Sequence, residues 1–353
     1  MPIFDQGYQH WQGAISGHGL RWLAITRQGV RQQLRRRRTK WLVSVAFVPA
    51  FMLAAFLVLW GLIEQNSTIL QPIMGLLQSL PEEIRSGPKS YRTAIWTWAF
   101  NTLFDVSQFF VMLLVLAVGP DLISQDLRFN AIPLYLSRPI RRIDYYLGKL
   151  GVIGFFLAAV AIAPAVAAYV LGLAFSFDLG VLKDTWHLLV GSVAYGAIMV
   201  VSAGTLMLAI SSLSRNSRLV GATWVGLWIM SNVTAGVLMT SVKQEWCPLF
   251  SYTTNFDRLR DELLDMPAAR EKFLGLWKSG QNAAQEAVRP RFPFFRGRGR
   301  RPPPLSAGQT PPMLTTPVHL RFPLIWSVEV LGGLFVLSAW TLSTRVKSLD
   351  RLK

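Results

Sequence analysis

Residues 151–175 read GVIGFFLAAVAIAPAVAAYVLGLAF, a run without one charged or amide side chain. A helix needs roughly 20 consecutive apolar residues to cross a hydrocarbon core about 30 Å thick. This run is long enough, and working outward from it four more meet the same test: 41–63, 187–213, 219–242 and 323–346. A sixth, 103–120, is shorter and carries Asp105 and Gln108 in its first turns. It counts as a span because 109–118 is wholly apolar and 96–100 can extend it. The expected fold class is an all-α polytopic membrane protein with about six transmembrane helices.

Composition agrees. Of 353 residues, 52% are hydrophobic and 16% charged, against about a quarter charged in soluble domains; mean hydropathy is +0.35. A soluble enzyme is excluded. The single cysteine, Cys247, allows no intrachain disulfide framework. The first apolar run starts after forty mostly polar residues, so the first span reads as a retained anchor rather than a cleaved signal.

The net charge of +17 is a topology signal rather than a nucleic-acid one. Short loops rich in Lys and Arg stay in the cytoplasm. With six spans, segments 1–40, 121–150, 214–218 and 347–353, with Arg345, share one side and hold 19 of the 36 basic residues; loops 64–102 and 176–186 opposite hold 4. The chain is therefore expected in the cell (inner) membrane with both termini cytoplasmic. The loop from Lys243 to Arg321 carries 13 basic and 7 acidic residues and is placed outside, because long loops cross largely regardless of charge.

Along the chain, residues 1–40 form a cytoplasmic segment ending in an amphipathic helix from Leu20 to Lys40, with Leu20, Trp22, Leu23, Ile25 and Val30 as its apolar face. It would lie in the interface plane or serve only as a basic stop. Residues 41–242 hold the first five spans, 243–321 a large outer loop, and 322–353 the sixth span and a cytoplasmic tail. The loop 64–102 contains Pro72, Pro81 and Pro88 and is read as non-spanning. Within the outer loop, 255–278 looks helical, with Asn255 as its cap and a break near Pro267. From 283 to 317 the Pro, Gly and Arg content predicts no fixed structure. Its Arg-Gly run is read as a solvated or headgroup-binding linker, not an RNA site.

The functional signal lies between the second and third spans, where residues 121–150 read DLISQDLRFNAIPLYLSRPIRRIDYYLGKL. A plain inside loop needs only a few residues. Here apolar Ile123, Leu127, Ile132, Leu134 and Leu136 alternate with Asp126, Arg128, Arg138, Arg141 and Arg142. Pro139 forces a break, and a second amphipathic helix runs from 140 to 149 into the third span. Such a short charged hairpin on the inner surface suits passing force from a soluble partner to two spans; its bland alternative is a loop that only sets topology.

These residues resemble the membrane subunits of type-2 ABC transporters, the ABC-2 type permeases. Asp121, Ile123, Ser124 and Asp126 match an acidic stretch ending the second span. Ser137, Arg138 and Pro139 match a turn, and Tyr145, Leu147, Gly148 and Lys149 the closing helix. Asn130-Ala131 stands where that family often has Gly-Thr. The resemblance covers most of the chain as architecture and about thirty residues as motif. It implies a permease half, an exporter, paired with a second permease chain (homo- or heterodimer) and with separate ATPase subunits. It also implies that Asp121, Asp126, Arg128, Ser137, Arg138, Pro139, Tyr145 and Lys149 couple to the ATPase.

No catalytic chemistry is legible. A phosphate-binding loop needs Gly-x4-Gly-Lys-Ser/Thr; Gly148-Lys149-Leu150 lacks the hydroxyl and the earlier glycine, and Lys89-Ser90 follows Pro88. His10, His18, His187 and His319 lack zinc-type spacing, and there is no Gly-x-Ser-x-Gly elbow. No cofactor and no metal is expected, and ATP hydrolysis belongs on a partner. Ionisable and amide groups inside spans are costly and usually face a cavity or a partner, which makes Asp105, Gln108, Asn232 and Glu329 candidates for a translocation path. Asp105 and Glu329 are placed near the N-terminal ends of their helices, where they could equally reach interfacial water. Two other functions stay open: a non-transporting membrane anchor or assembly component binding partners through its outer loop, and a membrane-embedded lipid enzyme.

Overall fold

The computed structural model describes residues 20–65, 81–131, 135, 141–176, 179–288 and 315–345. Among the described residues there is helix and no strand, and six helices are long and apolar enough to cross a bilayer. Helix α1 (Arg21–Leu34) leads to α2 (Arg37–Ala46) and α3 (Val48–Glu64), which together make the first span. After the short α4 (Glu82–Ser86), helices α5 (Pro88–Val118) and α6 (Asp121–Arg128) make the second. The third to fifth are α7 (Arg142–Ser176), α8 (Leu179–Leu213) and α9 (Ser217–Ser241). A 3-10 turn (Cys247–Phe250), α10 (Tyr252–Leu263) and α11 (Met266–Val288) precede the sixth, α12 (Leu324–Arg345).

Several local expectations change. The stretch 88–102, read as loop, is the first half of α5. Pro88 starts it at a position where the missing N–H is not needed, and Arg92 and Asn101 bond to Glu64, Asp184 and Arg260 of other helices. Asp105 therefore lies in the middle of α5, not near its N-terminal end. The helix expected over Leu20–Lys40 breaks after Leu34, and Arg37 already belongs to the first span. In the outer loop the break falls at Leu264-Asp265, with Asp265 at φ 53°, and Pro267 sits harmlessly in the first turn of α11. The cap is Ser251, whose hydroxyl accepts from Thr254 N at 3.0 Å, while Asn255 is buried inside α10. The helix expected from 140 starts at Arg142 and runs unbroken into the third span. The Ser137-Arg138-Pro139 turn, most of 283–317, Pro72 and the tail from 346 lie outside the described residues.

Helices α7 and α8 form the centre, with an aromatic seam beside them. Trp96 and Phe100 meet Tyr169, and Phe104, Tyr195, Phe256 and Tyr252 follow edge to face. Such pairs each add about 0.5–1.5 kcal/mol beyond area burial.

Helix α1 crosses the start of α7 at close range. A Cβ on Gly148 would stand 2.7 Å from Ile25 Cβ, and one on Gly29 would meet Val152. Thr26 Oγ1 donates to Gly148 O at 3.0 Å across the same crossing. The packed face is thus small and β-branched, and Leu20 and Leu23 point outward.

Helix α10 folds back between the spans. Asn232 Oδ1 accepts from Ser251 Oγ at 2.7 Å and Thr253 Oγ1 at 2.6 Å. Asn232 lies nine residues before the end of α9, about 14 Å at ~1.5 Å per residue. The chain therefore folds back through roughly half a core thickness before α10 begins. Tyr252 Oη meets Ser202 Oγ of α8 at 3.2 Å at the same depth. A Cβ on Gly191 of α8 would lie 2.2 Å from Leu263 O, so only glycine admits the far end of α10 there.

Candidate functional site

The break at Gly119-Pro120 ends α5, and Ser211 at the end of α8 takes over the freed groups. Its hydroxyl accepts from Ile123 N and Ser124 N at 3.2 and 3.0 Å and donates to Pro120 O at 2.9 Å. Capping by a side chain from another span fixes α6 against α8. Ser124 Oγ lies 2.8 Å from Ser217 Oγ, at the start of α9.

From α6, Asp126 reaches the start of α7. Its carboxylate is 2.6 Å from Lys149 Nζ and accepts from Tyr145 Oη at 2.7 Å. Lys149 also lies over the rings of Tyr135 and Tyr145 at 5.8 and 5.5 Å. Burial, and the Asp126 charge after it, raise the Tyr135 hydroxyl above its ordinary pKa. Asp121 pairs with Arg36 at 2.6 Å, tying α6 to the joint between α1 and the first span. Between α1 and these residues opens a cleft of about 550 Å³ lined by Arg21, Gln33, Asp121, Asp126, Tyr135 and Lys149. Gln33 keeps its side-chain oxygen buried without a partner among the described residues. Of the coupling candidates, the structure joins Asp126, Tyr145 and Lys149, sets Asp121 on Arg36, and leaves Arg128 exposed. Ser137, Arg138 and Pro139 are outside the described residues.

Three of the four intramembrane candidates meet one element, α10. Arg260 pairs with Asp105 at 2.5 Å and Asp257 at 3.4 Å, and donates from Nε to Asn101 Oδ1 at 2.9 Å. Its Nη1 is buried without a partner among the described residues. Gln108 accepts from Tyr195 Oη at 3.2 Å and donates to Thr253 O at 3.3 Å. Asn232 holds Ser251 and Thr253, as above. Glu329 is exposed on α12, and no contact among the described residues joins it to this network. Arg270 grips Asp261 with two bonds, 2.5 and 2.7 Å, and locks the α10–α11 turn. Sequence reasoning missed Arg260, Asp257, Tyr195, Ser251 and Thr253. The signal available was an amphipathic helix carrying charges in a loop, which says nothing about insertion between spans.

Six helices long and apolar enough to cross a bilayer, a strapped amphipathic helix, a bridge between α6 and α7 on one face and a helical pair packed between the spans define a polytopic membrane subunit. The sequence profile described as "ABC-2 family transporter protein" matches residues 23–288, from α1 through α11. The chain belongs to this family, and it is a multi-pass membrane component of a transporter. No curated protein matches it.

Proposed function

We propose that the chain is the permease subunit of an ATP-driven exporter, coupled through residues 121–150 to a separate ABC ATPase and paired with a second permease chain. It sits in the inner membrane with both termini and the coupling hairpin in the cytoplasm, an orientation supported by the bias of basic residues. Family membership supports transport and an ATPase partner. The observation that carries the coupling reading is the Asp126–Lys149–Tyr145 bridge. It joins the end of the second span to the start of the third across the hairpin, so a push on residues 129–141 moves both spans together. Helix α1 follows, because it is packed on α7 through Gly148 and Gly151. Asp105, Gln108 and Asn232, gathered around α10, would line the outer half of the path, with Glu329 at its mouth.

The test is an affinity pull-down of the tagged chain from its native host in mild detergent, read by mass spectrometry and ATPase assay. An ATPase subunit with a phosphate-binding loop is expected with the wild type and is lost in Asp126→Lys or Arg138→Glu. The exchange Asp126→Lys with Lys149→Asp is expected to restore it. A wild-type preparation without ATPase, holding partners through the outer loop, would replace this reading with a membrane anchor.

A further inference from the structure

A cavity of about 720 Å³ opens between the end of α6 and the start of α9. Arg128 enters it from α6; Arg215 and Asn216 come from the turn between α8 and α9, and Ser217 and Arg218 from the first turn of α9. Among the described residues, none of the three arginines pairs with a carboxylate. Arg128 has only the neighbouring Phe129 ring, 5.6 Å away. The one acid lining the cavity, Asp121, is already neutralised by Arg36. Three unmatched guanidinium groups therefore share one concavity. The positive end of α9, capped by Asn216 at 3.0 Å, adds to the same sign.

Depth selects the ligand. Helix α9 has 25 residues, about 37 Å at ~1.5 Å per residue, only ~7 Å more than the hydrocarbon core. Its first turn cannot stand far outside the membrane. Leu213 and Leu219 flank the turn at 53% and 56% exposure, which marks the apolar boundary on both sides of Arg215 and Arg218. These arginines lie where headgroup phosphates lie, and the planar guanidinium fork matches phosphate oxygens. Above them, Leu219 and Ala222 of α9 are exposed, within the ~15 Å that the acyl chains of one leaflet span. A soluble acidic partner would need the arginines to clear the headgroup layer.

We infer that Arg128, Arg215 and Arg218 hold the phosphodiester headgroup of an anionic membrane lipid, with its acyl chains along the exposed face of α9. Basic pockets between transmembrane helices bind such headgroups. The lipid would bridge α6 and α9, already linked through Ser124 and Ser217. The site requires only that the helices cross a bilayer; Arg128 also lies in the segment proposed to couple, but lipid retention in nanodiscs is read with no ATPase present.

The full chain is placed in nanodiscs of phosphatidylcholine, with or without phosphatidylglycerol, and read by native mass spectrometry and thermal unfolding. The wild type is expected to retain phosphatidylglycerol and to unfold at a higher temperature in its presence. The variant Arg128→Gln/Arg215→Gln/Arg218→Gln is expected to bind it on the order of a hundredfold more weakly, about fivefold per basic group. Removing the same charge from the exposed face of α1, with Arg27→Gln/Arg31→Gln/Arg35→Gln, should leave retention intact. A wild type with no preference for phosphatidylglycerol sinks the proposal without recourse to any variant. So does equal loss in both variants, which would show a diffuse charge effect. Equal stabilisation by inorganic phosphate in pure phosphatidylcholine would mean a soluble-anion site. Retained lipid with loss of a co-purifying ATPase in the α6–α9 variant would mean a protein-docking face.

Discussion

On the face that carries residues 121–150 one ion pair is partly open: Arg36 and Asp121 keep 37% and 23% of their side chains exposed beside a cleft, while Lys149 and Asp126 keep 11% and 15%. In the opposite half, Arg92, Arg260 and Arg270 are 3%, 6% and 8% exposed. Arg92 gathers the ends of three spans through Glu64 and Asp184, with Trp60 Nε1 donating to the same Glu64 at 2.6 Å. Arg260 holds α10 to α5. Open pairs are screened and individually weak, whereas a buried charge that loses its partner is expensive. One half of the molecule is therefore held through three buried arginines, while the other keeps one of its ion pairs open to solvent.

The largest effect should come from breaking the lock. Arg260→Ala leaves Asp257 and the half-exposed Asp105 without their shared partner and should cost about 3 kcal/mol, seen as a loss of folded protein or a lower unfolding temperature in nanodiscs. Arg260→Ala matching the wild type would erase the contrast between the halves. Next, Gly191→Ala drives a methyl group into Leu263 O and should cost about 1–3 kcal/mol by overpacking. Gly226→Ala, with nothing within 4 Å, should change stability by under about 0.5 kcal/mol. Equal responses from the two glycines would argue against α10 docking on α8.

The bridge on the open side should behave differently. Lys149→Gln removes a charge-assisted bond worth about 1.5–3 kcal/mol, a smaller thermal change than that of Arg260→Ala. Its sharper readout is coupling: recovery of an ATPase should fall while the chain still inserts. Smallest of all is Arg36→Gln, whose exposed pair is worth about 0–1 kcal/mol and whose remaining effect should vanish at high salt. A large salt-independent loss there would show that the open side is as rigid as the buried one.

Much of this fold was legible because the bilayer imposes a length rule. Runs such as 151–175 and 219–242 have no alternative use, and the structure turns each into a spanning helix. The extent of α5 was not legible. Residues 88–102 mix Arg92, Asn101 and Thr102 with aromatics, and their helical state depends on Glu64, Asp184 and Arg260 arriving from elsewhere. The same holds for Asp105. Its neighbours in sequence suggest a helix end near water; its actual partner is Arg260, one hundred and fifty-five positions away.

By itself, then, the sequence determined the class, the number of spans and the candidate hairpin, since hydrophobic length and the placement of Pro and Arg act locally. Only the tertiary structure decided that α10 packs between α5, α8 and α9, that α1 straps α7, and which charges are buried together. Those outcomes depend on distant groups satisfying one another's hydrogen bonds and charges in a medium where water cannot, and no local pattern records which pairs will meet.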